Sequence, residues 1–539
     1  MKHLLAAALC LCLVGLPARS LAQHEEHGAM APDQIGSASV KFETSCAAAV
    51  RDDFNKGVAL LHSFWFPEAT KMFEGILHKD PACAMAHWGV AMSQWGNPFG
   101  GLRSAQAIDR DKATVHKALA TGSPTPRERA LIDAVAILYS SSDAASQRDR
   151  IAAYERAMKK IAADHPNDIE VRVFYALAVS QSAVPTDKTY AKQIAAAAIL
   201  EPLFKERPLH PGLAHYIIHA YDAPPLAEKA LAAARSYASL APAIPHALHM
   251  PSHTFTRVGS WQESIDTNRR SAEAARKSNG YGEELHALDY QTYAYLQLAQ
   301  DTQAKGVRDH ALAIVISGDG MAAGAAGAGG YAATVIPARY ALERGAWAEA
   351  AQLPLRAATT PYIEAITHFA RAVGAARSGN PDAASADIAR LAELRDKLQS
   401  MQDVYWTEQV DIQRRVALAW QVFAQGQTDQ GIAQLKAAAE SEDATDKSAI
   451  SPGPLAPARE LLGYMLLEAG KPAEALLAFE ATMKKEPNRF RGVYGAGQAA
   501  EAAKDRAKAI TYYSQLLEIA KQADSERAEI AVARKFVGR

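Results

Sequence analysis

Small and aromatic residues recur in this chain at one fixed set of spacings, and that recurrence restricts the possible folds more than any other feature. A glycine is followed after 12 residues by an alanine, after 4 more by an aromatic residue and after 8 more by a proline. Two complete copies and one copy without the proline show the pattern: Gly57, Ala69, Phe73 and Pro81; Gly463, Ala475, Phe479 and Pro487; Gly497, Ala509 and Tyr513. The last two copies begin 34 residues apart. Such repeats predict stacked helix pairs, because one pair cannot bury its own apolar face.

These positions resemble those of the tetratricopeptide repeat. There, small residues let two helices approach, an aromatic residue packs into the next repeat and a proline ends the second helix. The composition agrees, since alanine, leucine, glutamate, lysine, arginine and glutamine favour helices, and no segment alternates β-branched residues as a strand would. A chain of 539 residues is also too long for one compact core. We therefore predict an all-α, tetratricopeptide-type solenoid of helix pairs, arranged as one array or two.

The first residues are typical of a secretory signal peptide. Lys2 and His3 precede an apolar run at 4–15, and the small residue Ala22 marks the expected cleavage point. A membrane anchor is the alternative, but the apolar run is too short for a hydrocarbon core of ~30 Å. We expect an exported protein, periplasmic or secreted, without a membrane span.

Changes of composition divide the rest of the chain. A polar segment follows the signal peptide, and a Gly/Ala-rich stretch later interrupts the helical pattern without the Gly-Lys-Ser/Thr ending of a phosphate loop. The predicted organisation is a signal peptide at 1–22, a flexible segment at 23–45, an N-terminal array at 46–317, a loop at 318–330 and a C-terminal array at 331–539.

Two cysteines remain once the signal peptide is removed. Cys46 precedes the first helix pair and Cys83 opens the next one. Equivalent helix starts are neighbours in a stacked array, and exported proteins favour disulfides. We predict a Cys46–Cys83 disulfide, with two buried free thiols as the alternative.

Histidines in the middle third follow the repeat length. The separation from His215 to His249 is 34 residues, from His219 to His253 it is also 34, and from His253 to His286 it is 33. Histidines four apart share one face of a helix, and axes of packed helices lie ~8–10 Å apart. The imidazoles of successive repeats can therefore converge.

Imidazole is the commonest protein ligand for zinc and copper, so this register predicts a transition-metal site. His215, His219, His249 and His253 are the first choice of ligands. Asp222, His286 and Asp289 are candidates for a second site or for residues that orient the ligands. The alternatives are buried histidines bonded to each other, to carbonyls or to tyrosines, and a histidine-lined groove that binds an acidic peptide without metal.

Aromatic and basic residues near these histidines predict a concave ligand groove. Its candidate residues are His62, Trp65, His87, Trp88, His246, Met250, Arg257 and Tyr290. For the N-terminal members, an aromatic packing layer is the simpler interpretation.

Other functional classes lack support in the sequence. The net charge of −1 gives no electrostatic reason to expect nucleic acid as a partner. The chain has no Gly-x-Ser-x-Gly, no His-Glu-x-x-His and no dinucleotide-binding glycine motif, so its status as an enzyme stays open.

Two blocks extend the resemblance beyond the generic repeat. The segments 83–93 (CAMAHWGVAMS) and 249–257 (HMPSHTFTR) resemble a group of exported bacterial tetratricopeptide proteins. That resemblance implies a helical solenoid and little about chemistry, whereas tetratricopeptide proteins in general, which this chain resembles in fold, mostly bind proteins or peptides. We expect a scaffold that holds a peptide, protein or small ligand and carries a zinc or copper site. The alternative is a metal-dependent enzyme or a metal carrier of the periplasm.

Overall fold

Helix formers fill the chain between short breaks, and the structure is helical accordingly. The computed structural model describes residues 32–184, 186–316, 327–356 and 360–538. Within these ranges every regular element is a helix and no strand occurs, which confirms the predicted all-α class. None of the described helices is both long enough and apolar enough to cross a membrane. The predicted signal peptide at 1–22 lies outside the described residues.

The helices follow one another with short connections. Those of the first half are Pro32–Ile35, Arg51–His62, Phe66–Lys79, Ala84–Trp95, Ala105–Thr121, Pro126–Leu138, Gln147–Asp164, Ile169–Gln181, Ala191–Glu206, Pro211–Ala220, Leu231–Leu240, Pro245–His249 and Pro251–Arg257. Those of the second half are Trp261–Lys277, Tyr281–Gln297, Asp301–Ile316, Gly327–Glu343, Trp347–Ala351, Pro361–Arg377, Ser385–Ser400, Val404–Ala424, Thr428–Asp443, Ala458–Glu468, Pro472–Lys485, Phe490–Ala502, Arg506–Ile519 and Ala528–Val537. Short 3₁₀ turns lie at Ser37–Ser39, Ala48–Val50, Ala227–Ala230 and Pro381–Ala384.

The repeated glycines and aromatic residues lock the helix pairs together. The Phe73 ring lies so close to Gly57 that a Cβ atom there would be 2.8 Å from the ring, and it also presses on Gly89 of the next pair. Phe479 occupies the same position against Gly463 and Gly495. A larger residue at these glycines would separate the helices, so the spacing seen in the sequence reflects close helix contact.

The last helix pairs contact helices from the middle of the sequence. The Trp261 Nε1 donates to the carbonyl of Asn488 at 2.9 Å, and the amide of Phe490 donates to Gln297 Oε1 at 2.9 Å. Residues Pro32–Arg539 accordingly form one unit. The two arrays considered from the sequence are thus joined by direct contacts.

Two segment boundaries differ from the prediction. The helix Gly327–Glu343 begins inside the loop predicted at 318–330 and packs on Tyr281–Gln297, because its alanines and small residues fit a helix interface. The segment predicted to be flexible at 23–45 contains buried residues from Ile35 onward, among them Phe42, between exposed ones. Burial of these apolar side chains holds the otherwise polar segment against the core.

Cys46 and Cys83 form a disulfide, the pairing that the sequence predicts. Cys83 directly precedes the helix Ala84–Trp95, and Asp80 accepts a hydrogen bond from the amide of Ala47 nearby at 2.7 Å. Cys46, Asp80 and Cys83 lie close enough together to hold a metal ion. Because the two sulfurs are bonded to each other, the cluster is a disulfide cross-link and not a metal site.

Candidate metal centre

Four helices bring six histidines together. The helix Pro211–Ala220 carries two of them, Pro245–His249 carries two, and Pro251–Arg257 and Tyr281–Gln297 carry one each. Pro251 lacks an amide hydrogen, and a second helix begins there. The six histidines are His215, His219, His246, His249, His253 and His286.

These histidines form two groups of three. In each group one nitrogen from every ring lies within 4.8 Å of the other two. The first group is His215, His219 and His246, and the second is His249, His253 and His286.

The structure groups these rings differently from the sequence-based choice of one site from His215, His219, His249 and His253, and that choice of ligands stays a prediction. Each group takes a pair four residues apart from one stretch of chain and its third ring from the next repeat. This arrangement follows from the offset between adjacent helices, which places a pair opposite a single residue of its neighbour.

The second group has its ring protons fixed by neighbouring acceptors. His249 Nδ1 lies 2.7 Å from Asn268 Oδ1, and the Asn268 amide nitrogen donates to the carbonyl of Ser264 at 2.7 Å, which sets the orientation of the amide. His253 Nδ1 lies 2.9 Å from Asp222 Oδ2. Both Nδ1 atoms must donate, so in the neutral rings both Nε2 atoms carry lone pairs.

Those two lone pairs face each other. His249 Nε2 and His253 Nε2 lie 3.1 Å apart, too close for an intervening water and without a proton to share. Nitrogen ligands at ~2.0–2.1 Å from a tetrahedral metal are roughly 3.3 Å apart, which agrees with this separation. His286 Nδ1 is buried and has no hydrogen-bond partner within the described chain. The group therefore offers three imidazole nitrogens to a cation.

In the first group an acceptor fixes the ring proton of His215, and His246 can donate its Nε2 proton to His215. His215 Nδ1 donates to the backbone carbonyl of His62 at 2.6 Å, which leaves its Nε2 as a lone-pair donor 3.3 Å from His246 Nε2. His219 Nε2 is buried and unpartnered among the residues that the structure describes. Phe64 packs over these rings, with its centroid 4.4 Å from that of His215. Phe64 has a φ of 54°, unusual for a bulky residue.

Burial keeps the six imidazoles neutral. It lowers the pKa of every one of them below the ordinary value, and in five of the six the neighbouring histidines lower the pKa further. In His253 the carboxylate of Asp222 opposes this shift. Neutral imidazole is the form that binds a metal ion, so the site is prepared for a metal at neutral pH.

A loop of the C-terminal half covers the second group. Lys447, between Thr428–Asp443 and Ala458–Glu468, places its ammonium 3.4 Å from Asp222 Oδ2, and Arg257 Nε donates to Asp222 Oδ1 at 2.8 Å. Although burial opposes ionisation, these two cations hold the pKa of Asp222 well below its usual range. Burial lowers the pKa of Lys447 to about 8.

Other predicted site residues lie elsewhere or serve other purposes. Asp289 joins neither group, because its carboxylate forms a fully buried ion pair with Arg339 at 2.9 Å. Tyr290 reaches the second group from the side: its hydroxyl lies 3.4 Å from His253 Nε2 and donates to the Ser451 carbonyl at 3.2 Å.

The predicted groove is not one open surface. Of its eight residues, the structure buries His62, Trp88, Met250, Arg257 and Tyr290 and leaves Trp65, His87 and His246 half-buried. His62 Nε2 is engaged by Glu170 Oε2 at 2.9 Å, and His246 belongs to the first histidine group. Helix packing and the Lys447 loop fill the space that a peptide would need at the histidines.

Sequence reasoning missed the residues that orient the imidazoles. Asn268 lies 19 residues from His249, the carbonyl of His62 lies 153 residues from His215, and Lys447 lies 225 residues from Asp222. No spacing rule relates the members of these pairs. The lysine and the asparagine have no local pattern that distinguishes them from solvated residues.

Comparison with known proteins gives only remote structural similarities. No protein-family model matches the chain, and no curated protein is significantly similar to it. Similar solved structures include the APC/C hetero-tetramer Cut9–Hcn1, with 12% identity, a TM-score of 0.34 and coverage of 91% of this chain and 89% of that chain. Yeast Tom70 has 11% identity, a TM-score of 0.28 and coverage of 90% and 88%. Both are tetratricopeptide repeat proteins. At these identities and TM-scores the likeness carries no argument about this chain.

Proposed function

We propose that this protein binds a transition metal, copper or zinc, through the histidines of its successive repeats. The observation that carries the proposal is the 3.1 Å separation of His249 Nε2 and His253 Nε2, whose Nδ1 protons are both committed elsewhere. A cation between the two lone pairs converts a repulsion into two coordinate bonds. The predicted signal peptide puts this activity in the periplasm or outside the cell.

Each group supplies three nitrogens, one fewer than a closed structural zinc site. Structural zinc sites are closed by four protein ligands, whereas sites that exchange or activate a ligand keep one position open. His219, His246 and His286 are partly exposed as residues, although His219 Nε2 and His286 Nδ1 are buried. The arrangement suits a metal carrier or a metal-dependent enzyme of the periplasm.

Elemental analysis of the protein purified without a histidine tag or chelator tests this proposal. We expect bound copper or zinc in the wild-type protein and a clear loss of it in the double variant His249→Gln/His253→Gln. His368→Gln is the matched control, because His368 is also buried and bonded to a carboxylate, Asp387, but lies outside both groups. Metal at background level after reloading, in folded wild-type protein, would contradict the proposal.

A cavity supports ligand binding by the scaffold as a second candidate function. It has a volume of about 60 Å³ and lies between the helix Val404–Ala424 and the Lys447 loop, with Tyr405 and Trp406 in its wall. Gln413 Oε1 lines it, buried and without a partner in the described chain. A buried acceptor beside aromatic walls suits a small ligand or peptide side chain that donates a hydrogen bond.

Thermal-shift screening of small amines and peptides tests this second function. A true ligand raises the melting temperature of the wild type but not of Gln413→Leu, and leaves the metal content unchanged. A screen in which every hit also stabilises Gln413→Leu would remove the cavity from consideration.

A further inference from the structure

We propose that the two histidine groups hold a pair of copper(I) ions in adjacent sites, in preference to a pair of zinc ions. This inference rests on the proposed metal-binding function and specifies the metal, its oxidation state and the number of ions per chain.

The two groups are immediate neighbours in space. His246 of the first group and His249 of the second lie on the same short helix, with ring centroids 6.3 Å apart. The rings of His219 and His253 also approach across the boundary, at 6.1 Å between centroids. Two ions bound by these neighbouring groups would lie close enough to repel each other.

The ligands provide no charge to offset that repulsion. All six are neutral imidazoles, and neither group contains a carboxylate. Asp222, the carboxylate bonded to one of these rings, is already paired with Arg257 and Lys447. The Asp289 carboxylate is paired with Arg339. Two divalent ions would therefore bring four positive charges into a site without free anionic side chains.

The charge of the ion then decides which metal is preferred. Coulomb repulsion scales with the product of the charges, so two monovalent ions repel each other four times less than two divalent ions at the same separation. The Lys447 ammonium adds to this selection, since it disfavours positive charge at His219, His249, His253 and His286.

Coordination number favours the same ion. Imidazole suits both zinc and copper, but zinc usually takes four ligands and would need an additional anion or water in each group. Copper(I) is satisfied by three nitrogen ligands. Three nitrogens from each group, at mutual distances compatible with one metal, meet that requirement directly.

Anaerobic titration of the metal-free protein tests the inference. Copper(I), kept reduced with ascorbate so that the Cys46–Cys83 disulfide stays intact, is added in competition with bicinchoninate, and zinc is titrated separately against a zinc chelator. We expect two copper(I) ions per chain, with both ions held at least tenfold more tightly than a second zinc ion. X-ray absorption at the copper edge should show three nitrogen neighbours for each ion.

Single-ligand variants separate the two sites. His219→Gln should reduce the number of tightly bound copper(I) ions from two to one by disabling the first group, and His286→Gln should do the same through the second. His368→Gln should still bind two. Circular dichroism of each variant establishes that it is folded.

Each other outcome has a definite meaning. Two zinc ions bound as tightly as two copper(I) ions would overturn the inference while leaving the metal-binding function intact. Binding of only one copper(I) ion per wild-type chain would also overturn the inference of a copper(I) pair and leave the metal-binding function intact. Failure to bind either metal in the folded wild type would overturn both proposals.

Discussion

Replacing Asn268 with leucine removes the acceptor that holds the proton of His249 on Nδ1. Asn268 is fully buried, and its Oδ1 lies 2.7 Å from that nitrogen. Without the acceptor, His249 can move its proton to Nε2 and donate it to His253 Nε2 at 3.1 Å. The variant then satisfies the two rings by a hydrogen bond in place of a metal ion.

The expected loss of metal affinity follows from this exchange of tautomers. Residues that orient a ligating histidine typically contribute 10–100-fold in affinity, which corresponds to about 1.4–2.7 kcal/mol. The stability of the metal-free variant should change less, because the new His249–His253 hydrogen bond offsets part of the ~1–3 kcal/mol cost of an unsatisfied buried donor.

Competition titration with a chromophoric chelator measures the affinity, and nitrogen-15 NMR of the histidine side chains reports which ring nitrogen carries the proton. Thr267→Val is the matched control. Thr267 is the adjacent buried residue, and its hydroxyl donates to the carbonyl of Leu248 at 2.6 Å without touching a histidine ring. Metal affinity in Asn268→Leu equal to that of Thr267→Val, with the Nδ1 proton unmoved, would refute the tautomer argument.

Three further predictions concern stability. The free energy of unfolding of the metal-free protein should fall as the pH drops below about 6.5. The six group histidines have lowered pKa values in the folded protein, so the unfolded chain binds more protons in this range. Each histidine lowers the free energy of unfolding by up to ~1.4 kcal/mol per pH unit. Five carboxyl groups whose pKa burial raises act in the opposite direction, namely Glu283 and Glu442, each with a pKa of about 7, and Asp289, Asp403 and Glu486. They stand against eight histidines with lowered pKa values, because His62 and His87 add to the six. Urea titrations at pH 7 and 5.5 that give equal stabilities would contradict the argument. Gly463→Ala should destabilise by ~1–3 kcal/mol in chemical denaturation, since the new Cβ would lie 2.7 Å from the Phe479 ring, whereas Gly75→Ala, in a helix with open space, should be neutral or stabilising. Reducing the disulfide, which spans 37 residues, should lower the free energy of unfolding by ~4 kcal/mol in the chain-entropy description, and an unchanged denaturation midpoint would rule that out.

The helix-pair fold could be predicted from the sequence because its determinants are local. Gly57, Phe73, Gly463 and Phe479 recur at spacings set by the length of one helix pair, and each aromatic ring contacts the glycines of its own pair and the next. The Cys46–Cys83 pairing followed from the same repeat geometry. In a solenoid each helix pair contacts its nearest neighbours, so the contacting residues recur periodically in the sequence.

The candidate site could be predicted only in part. The 34-residue register identified the histidines, because equivalent positions on stacked helices are neighbours. It did not give the two spatial groups, since the offset between adjacent helices decides that His246 lies with His215 and His219 and that His286 lies in the second group. That offset depends on side-chain packing, which the spacing does not record.

The sequence by itself determined the helix pairs, the order in which they stack and the register that places histidines on successive repeats. The tertiary structure decided how the array closes, which brings Lys447 from the C-terminal half to Asp222 and places Asn268 against His249. Helix formation and stacking between neighbouring helix pairs depend on residues within one or two repeats, so the spacing of residues in the sequence predicts them. The protonation of a buried imidazole depends on the acceptor beside the ring and on the burial and charge around it. For His253 these neighbours are Asp222 and Lys447, which lie 31 and 194 residues away in the sequence and are brought to it only by folding.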